Sequence, residues 1–351
     1  MNKSLVVVAG GTGGHIFPGI AVAQYLREQD WQVSWIGTDD RMEADVVPKH
    51  DIEIDFIRAQ GVRGNGLKRL FQAPLMIIKA FFAARKILKQ RRPAAVLAMG
   101  GYVTGPVGLA AKSLGIPLVI HEQNAVAGMS NKLLAKLANS CLGAFPGALP
   151  QSDFQVVGNP VRQSLMNIAP VEVSSPINIL VVGGSLGAQV LNDTLPTVFA
   201  ELATKHELAV WHQTGKGRSS KVQEQYQAQQ LEAKVSDFID DMDAAYAWAD
   251  LVICRAGALT VSEVAAAGRM ALFVPFPHAV DDHQTANAQY LVGGDAALCM
   301  QQGDFYQTAV VEALAPYFQQ PQLITEMGKR AKALAKLDAT AAVAKQCEQY
   351  S

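Results

Sequence analysis

Leu5-Val6-Val7-Val8-Ala9-Gly10-Gly11-Thr12-Gly13-Gly14-His15-Ile16-Phe17-Pro18-Gly19 decides the fold. An aliphatic, β-branched run gives way to glycines and then to a helical pattern from about Gly19 to Glu28. That order predicts a buried strand, a tight loop and a helix. Glycines admit positive φ and close backbone approach, and a helix start offers unpaired N–H groups at a positive dipole end. An anion such as phosphate suits that corner, and His15 adds a titratable group beside it. A plain strand–helix turn with a solvated histidine is the other reading. The loop is not the dinucleotide fingerprint, because G-x-G-x-x-G read from Gly11 puts Ile16 where the last glycine belongs.

Working outward, the first half alternates strand and helix. Trp31–Gly37 and Ile52–Ile57 read as strands, with the helix-like stretch 41–50 between them. A glycine-punctuated loop, 61–66, leads into an amphipathic segment ending near Arg92. The strand at 94–99 runs into a second glycine loop, 100–106, and the strand at 116–120 into His121-Glu122-Gln123-Asn124. Alternation through short loops predicts an α/β fold with parallel sheets covered on both faces. Ligands in such sheets sit beyond the carboxyl ends of the strands, where all three loops fall.

The stretch 156–162 reads as a junction. Beyond it, Ile177 to Ala188 repeats the aliphatic run, glycine loop and helix start of residues 5–19. Strands near 208–212, 234–238, 251–254, 271–274 and 297–300 follow, with helices between and two more after Asp304. Two similar nucleotide-binding-type folds in tandem are expected, with a ligand cleft between them. A chain of 351 residues, 50% hydrophobic, can bury two such cores.

Composition excludes several classes. A net charge of −1 does not advertise nucleic acid. Cys141, Cys254, Cys299 and Cys347 are scattered, which argues against a zinc site or disulfide framework and fits a reducing cytoplasm. No secretory leader is expected, and Lys79 interrupts the longest apolar run, 75–84.

The densest chemistry of the second half is Arg255-Ala256-Gly257-Ala258-Leu259-Thr260-Val261-Ser262-Glu263. A carboxylate one turn into a helix can accept both hydroxyls of a ribose while the helix start faces a diphosphate. Thr-x-x-Glu is equally the signature of a capping box, Thr260 with Glu263. Asp241-Met242-Asp243 reads as the acidic first turn of a helix over 244–249 and not as a metal site. Asp281, Asp282, Gln284 and Asn287 place polar groups suited to sugar hydroxyls at a helix start.

Taken together, Gly10–Pro18, Met99–Pro106, His121–Asn124 and Gly257–Glu263 resemble the MurG family of bacterial N-acetylglucosaminyltransferases. The resemblance implies the GT-B architecture: two Rossmann-like parallel-sheet domains facing each other across a cleft. An acceptor and membrane-binding domain would span 1–160 plus a C-terminal helix 336–351, and a donor-binding domain 161–335. It implies inverting transfer of N-acetylglucosamine from UDP-GlcNAc to the 4-hydroxyl of undecaprenyl-diphospho-N-acetylmuramoyl-pentapeptide. The donor would meet Thr12, Gly13, Gly14, Asn124, Arg162, Ser185, Ile239, Ala258 through Glu263 and Gln284. No metal or other cofactor is expected, since helix N-termini can stabilise the leaving diphosphate. His15 is the first candidate for the base and Glu122 the second. The resemblance further implies a place on the cytoplasmic face of the inner membrane and partners among other cell-wall assembly proteins. Two rivals are a nicotinamide dehydrogenase, with Asp39 gripping the ribose, and a sugar-nucleotide binder without turnover.

Charge pattern adds an independent expectation. No Asp or Glu occurs from Phe56 to His121, while Arg58, Arg63, Lys68, Arg69, Lys79, Arg85, Lys86, Lys89, Arg91, Arg92 and Lys112 fall inside. Interleaved apolar residues, among them Phe71, Leu75, Ile78 and Phe82, are too many for one narrow helix stripe. Cations beside exposed apolar groups predict a segment that lies on an anionic membrane surface without crossing it. Nucleic acid is not expected there, since aliphatics stand where stacking aromatics belong.

Overall fold

The computed structural model describes residues 3–59, 66–149, 153–184 and 186–351, without side chains at 66–73 and 280. The chain divides into two compact units, Met1–Val161 with Lys336–Ser351, and Arg162–Ala335.

The first unit holds β1 (Ser4–Ala9), β2 (Gln32–Gly37), β3 (Glu53–Phe56), β4 (Ala95–Gly100), β5 (Leu118–Glu122), β6 (Ser140–Gly143) and β7 (Gln155–Val156). Their order is β3-β2-β1-β4-β5-β6-β7. Every neighbouring pair is parallel, with Val7 opposite both Trp35 and Leu97. Leu5 to Ala9 are fully buried because helices cover both faces. Side chains alternate along β1. Leu5, Val7 and Ala9 pack with Ile16 and Ile20 of the Gly13–Arg27 helix and with Val343, Ala344 and Cys347 of the Ala339–Glu348 helix. Val6 and Val8 pack with Ala80, Ala84 and Leu88 of the Gly66–Arg91 helix and with Val107 and Ala110 of the Thr104–Ser113 helix. The C-terminal helix is therefore core to the first unit, tied further by Gln346 Nε2 donating to Ser140 Oγ at 2.7 Å.

The second unit holds β8 (Ile177–Val182), β9 (Leu208–Gln213), β10 (Lys234–Ser236), β11 (Leu251–Cys254), β12 (Met270–Phe273) and β13 (Leu298–Cys299). They are ordered β10-β9-β8-β11-β12-β13, all parallel. Ile179 and Val181 bury against Leu191, Leu195 and Phe199 of the Gln189–Ala203 helix, and Val310 and Leu314 share that core. The α/β class and the paired parallel sheets are as expected.

Three local expectations need correction. The first helix starts at Gly13, not near Gly19, so Gly13, Gly14 and His15 form its first turn. Full burial of Ile16 and near-full burial of Ile20 outweigh the poor helix propensity of the glycines. The stretch 41–50 splits into a Met42–Val46 α-helix and a Val47–His50 3-10 turn. Strands β6 and β7 escape the sequence reading because they are short, and β6 carries small residues in place of a β-branched run.

Each unit buries a histidine in its sheet. His121 on β5 donates from Nε2 to the Gly158 carbonyl at 2.8 Å. His212 on β9 meets Tyr226 Oη at 2.9 Å and Asn192 Oδ1 at 3.1 Å. Burial pushes their pKa values down to about 4 and about 3. The unfolded chain takes up these protons first, near 6.5, so stability is full above 6.5 and is lost as pH falls toward the folded values. Each histidine should cost about 1.4 kcal/mol per pH unit within its window. Asp237, held low by backbone amides at about 2, acts only below its ordinary value of 3.8. Denaturant melts at pH 7 and pH 4.5 should therefore show a marked loss of stability at pH 4.5, well before Asp237 titrates; equal midpoints would contradict neutral burial of the two rings.

Candidate functional site

In the first unit the candidate site is built on the carboxyl ends of β1, β4 and β5. Two glycine loops meet there backbone to backbone. A Cβ on Gly101, at φ +91, would lie 2.3 Å from the Gly10 carbonyl, and one on Gly100 would lie 2.7 Å from His15 Nδ1. Thr12 is extended at the helix start, and no side chain caps the amides that follow it. Thr12, Gly13 and Gly14 thus present an uncapped helix N-terminus, with His15 one residue further on.

His15 is half-buried, and its Nδ1 lies 2.7 Å from Gln123 Oε1. Gln123 in turn donates from Nε2 to His121 Nδ1 at 3.0 Å and to the His121 carbonyl at 3.1 Å. Glu122 corrects an expectation. Its carboxylate is buried and accepts from the Asn124 amide (2.9 Å), Asn124 Nδ2 (3.3 Å), the Gly128 amide (3.0 Å) and Asn131 Nδ2 (3.0 Å). Both oxygens are spent on holding the 122–131 loop, and a carboxylate so engaged is a brace and not a base. Asn124 is held by the same brace. Glu43 does similar work on the opposite side, accepting from the Gly11 amide at 3.0 Å, the Thr38 amide at 3.0 Å and Thr38 Oγ1 at 2.7 Å. Asp39, the residue a dehydrogenase would use, lines a cavity of about 550 Å³ with Asp40, Arg58, Met76 and Lys79.

In the second unit the loops after β8, β10 and β11 carry the candidates. Gly184 is fixed by Gln213, which accepts from its amide and donates to its carbonyl, both at 3.0 Å. Ser185 lies outside the described residues. Ile239 is half-buried in the turn after β10. After β11 the helix Ala258–Ala267 begins, with Gly257 extended at its start and no side-chain cap. The capping box is therefore not formed, because Thr260 already stands within the helix. Ala258 and Val261 are buried, whereas Leu259, Thr260 and Ser262 are half-buried. Ser262 Oγ is turned back to the Ala258 carbonyl at 2.9 Å.

Glu263 has a side chain only 12% exposed, held by Arg162 Nη2 at 3.1 Å and by Tyr246 Oη at 3.2 Å. Burial raises its pKa, and Arg162 opposes that shift. Arg162 Nη1 is also paired with Asp243 at 2.8 Å, so its guanidinium bridges two carboxylates. Asp241 caps the Met242–Trp248 helix by accepting from the Ala244 amide at 2.9 Å. The acidic triplet thus divides into a cap and an ion-pair partner. Gln284 Oε1 accepts from the Phe276 amide at 2.8 Å, and Arg255 grips the same loop through the Val274 and Pro275 carbonyls, both at 3.1 Å. Gln284 therefore shapes the loop after β12.

Sequence reasoning missed Gln123, Glu43, Tyr246 and Asp243 as parts of these sites. Gln123 stood inside a quoted motif, and its contact with His15 spans 108 positions, which no local pattern reveals.

On the Gly66–Arg91 helix, Leu75, Ile77, Ile78 and Phe82 are exposed, at 58%, 43%, 51% and 62%, with Lys79 also exposed. The side chains of Lys68, Arg69 and Phe71 lie outside those described. Arg91 departs from the expected basic excess, since it pairs with Glu53 at 2.6 Å and Asp55 at 2.8 Å from β3. No helix among the described residues is long and apolar enough to cross a membrane.

Residues 5–142 match the glycosyltransferase family 28 N-terminal domain and residues 178–343 its C-terminal domain. A Pseudoalteromonas translucida protein is 66% identical over 100% of this chain and 99% of its own length. It is named UDP-N-acetylglucosamine--N-acetylmuramyl-(pentapeptide) pyrophosphoryl-undecaprenol N-acetylglucosamine transferase. The crystal structure of Acinetobacter baumannii MurG is 43% identical, covers 99% of both chains and superposes with a TM-score of 0.86. UDP-GlcNAc 2-epimerase from Neisseria meningitidis, at 12% identity and a TM-score of 0.68, shares the fold alone. With both domain models matched in order and a relative two-thirds identical across its full length, the chain belongs to glycosyltransferase family 28.

Proposed function

We propose that this enzyme transfers N-acetylglucosamine from UDP-GlcNAc to the muramoyl 4-hydroxyl of undecaprenyl-diphospho-N-acetylmuramoyl-pentapeptide, with inversion. The observation that carries this reading is the full-length identity to the transferase so named. The second unit takes the donor. Glu263 accepts the ribose hydroxyls, since each of its oxygens accepts one hydrogen bond from the protein and a carboxylate has room for about four. Arg162 and Tyr246 hold that carboxylate in place, and the uncapped start of the Ala258–Ala267 helix faces the diphosphate. Ser185 and Ile239 complete the donor loops.

The first unit takes the acceptor, and His15 is the base. The 4-hydroxyl proton passes to the imidazole while an oxygen lone pair forms the bond to the anomeric carbon. The bond from that carbon to the diphosphate breaks, and its electrons leave on UDP. The amides at the start of the Ala258–Ala267 helix stabilise the departing charge without a metal. The exposed face around Leu75, Ile78, Lys79 and Phe82 docks on the anionic cytoplasmic face of the inner membrane, where a lipid-linked acceptor resides.

Replacing Glu263 by Gln should weaken UDP binding by about 1.5–3 kcal/mol, the range for a hydrogen bond to a charged group. Unchanged affinity in calorimetry on a folded variant would confine Glu263 to its pairing with Arg162. His15→Ala should lower kcat by about 10²-fold or more with little change in UDP affinity, as for loss of a general base. EDTA should leave turnover intact, and loss restored by a divalent ion would overturn the metal-free reading. The joint change Leu75→Ser, Ile78→Ser and Phe82→Ser should reduce sedimentation with anionic vesicles while donor affinity stays unchanged; equal partitioning would remove this face from docking.

A further inference from the structure

His15 can accept a proton only through whichever ring nitrogen is bare, and a free neutral histidine side chain favours its proton on Nε2. The surroundings of His15 reverse that preference. Two backbone carbonyls, which can only accept, set the direction of a hydrogen-bond chain within the first unit. The Gly158 carbonyl, 2.8 Å from His121 Nε2, requires the proton of His121 to sit on that nitrogen. The His121 carbonyl, 3.1 Å from Gln123 Nε2, requires the amide nitrogen of Gln123 to face it, which fixes the amide orientation. The second amide hydrogen then goes to the bare Nδ1 of His121 at 3.0 Å. Both hydrogens are used, and Gln123 Oε1, an acceptor, is left facing His15 Nδ1 at 2.7 Å. His15 Nδ1 must therefore donate.

We propose that Gln123 and His121 are positioning residues that hold His15 in the Nδ1–H tautomer, leaving Nε2 bare to take the acceptor hydroxyl proton. This rests on the reading of His15 as the base. His121 and Gln123 are both essentially fully buried, so water does not compete for these bonds. Burial also keeps His121 neutral, down to a pKa of about 4, which preserves its acceptor nitrogen throughout the neutral range. Gly100 belongs to the same device, because a Cβ there would fall 2.7 Å from the donating nitrogen. A glutamine, unlike a carboxylate, orients the ring without adding a charge that would favour the imidazolium before reaction. After transfer the imidazolium keeps its Nδ1–H on Gln123 and releases the Nε2 proton to solvent.

The test is two-bond proton–nitrogen NMR of the full chain with 15N-labelled histidine, at alkaline pH, with His15 assigned by the signal absent from His15→Ala. Wild type should show His15 protonated on Nδ1. Gln123→Met, which keeps the length and removes the amide, should move the pattern toward Nε2–H. It should also lower kcat by about 10²-fold with less than about a twofold change in KM for UDP-GlcNAc. An Nε2–H pattern in wild type, or an unchanged pattern in folded Gln123→Met, overturns the proposal. If that variant does not fold, the wild-type spectrum decides alone. Retained turnover in His15→Ala would instead overturn the base reading, and the spectra would still decide whether the tautomer is held.

Discussion

Burial of two parallel strands on both faces is the constraint on which everything else rests. Leu5 to Ala9 of β1 are fully excluded from solvent, as are Ile179 to Val181 of β8. Strands so covered have no side chain to spare for a substrate, so reactive groups gather where the strands stop. Each unit meets this requirement in the same way. A glycine loop leaves the sheet, and a helix begins without a side-chain cap at Gly13 in the first unit and at Ala258 in the second. The polar residues around those openings divide between bracing the loops and remaining available for chemistry.

That division separates the carboxylates. Glu122 and Glu43 each accept two backbone amides and lie fully within the first unit, so their charge is spent on loop geometry. Glu263 has two protein partners, both of them side chains, and keeps capacity for a ligand. Arg162 holds Glu263 directly and Asp243 does so indirectly: the guanidinium is fixed by one carboxylate and thereby oriented toward the other. With Arg162 itself exposed, these pairs contribute little net stability, but loss of Arg162 leaves the largely covered Glu263 charge uncompensated.

Much of this was legible in the residues. The β-branched runs, the glycine loops and the alternation of elements predicted two parallel-sheet units, because those features report backbone and burial directly. His15 and Glu263 were legible as candidates because they stand beside the loops. Three things were not. The true start of the first helix depended on burial of Ile16, which outweighs the glycines before it. The capping box at Thr260 failed because Gly257 takes the helix start three residues earlier. The basic excess between Phe56 and His121 is smaller in space than in sequence, since Arg91 finds Glu53 and Asp55 on the strand before its helix. The link between Gln123 and His15 is a tertiary contact with no sequence pattern of its own.

The most direct test of the transfer reaction is the product itself. Purified protein supplied with UDP-GlcNAc and a short-chain undecaprenyl-type diphospho-muramoyl-pentapeptide should release one UDP for each disaccharide formed. Inversion at the anomeric carbon requires that the new linkage be β, which the proton coupling of the product reports. Release of UDP with free N-acetylglucosamine alone, or an α-linked disaccharide, would contradict inverting transfer to the muramoyl hydroxyl.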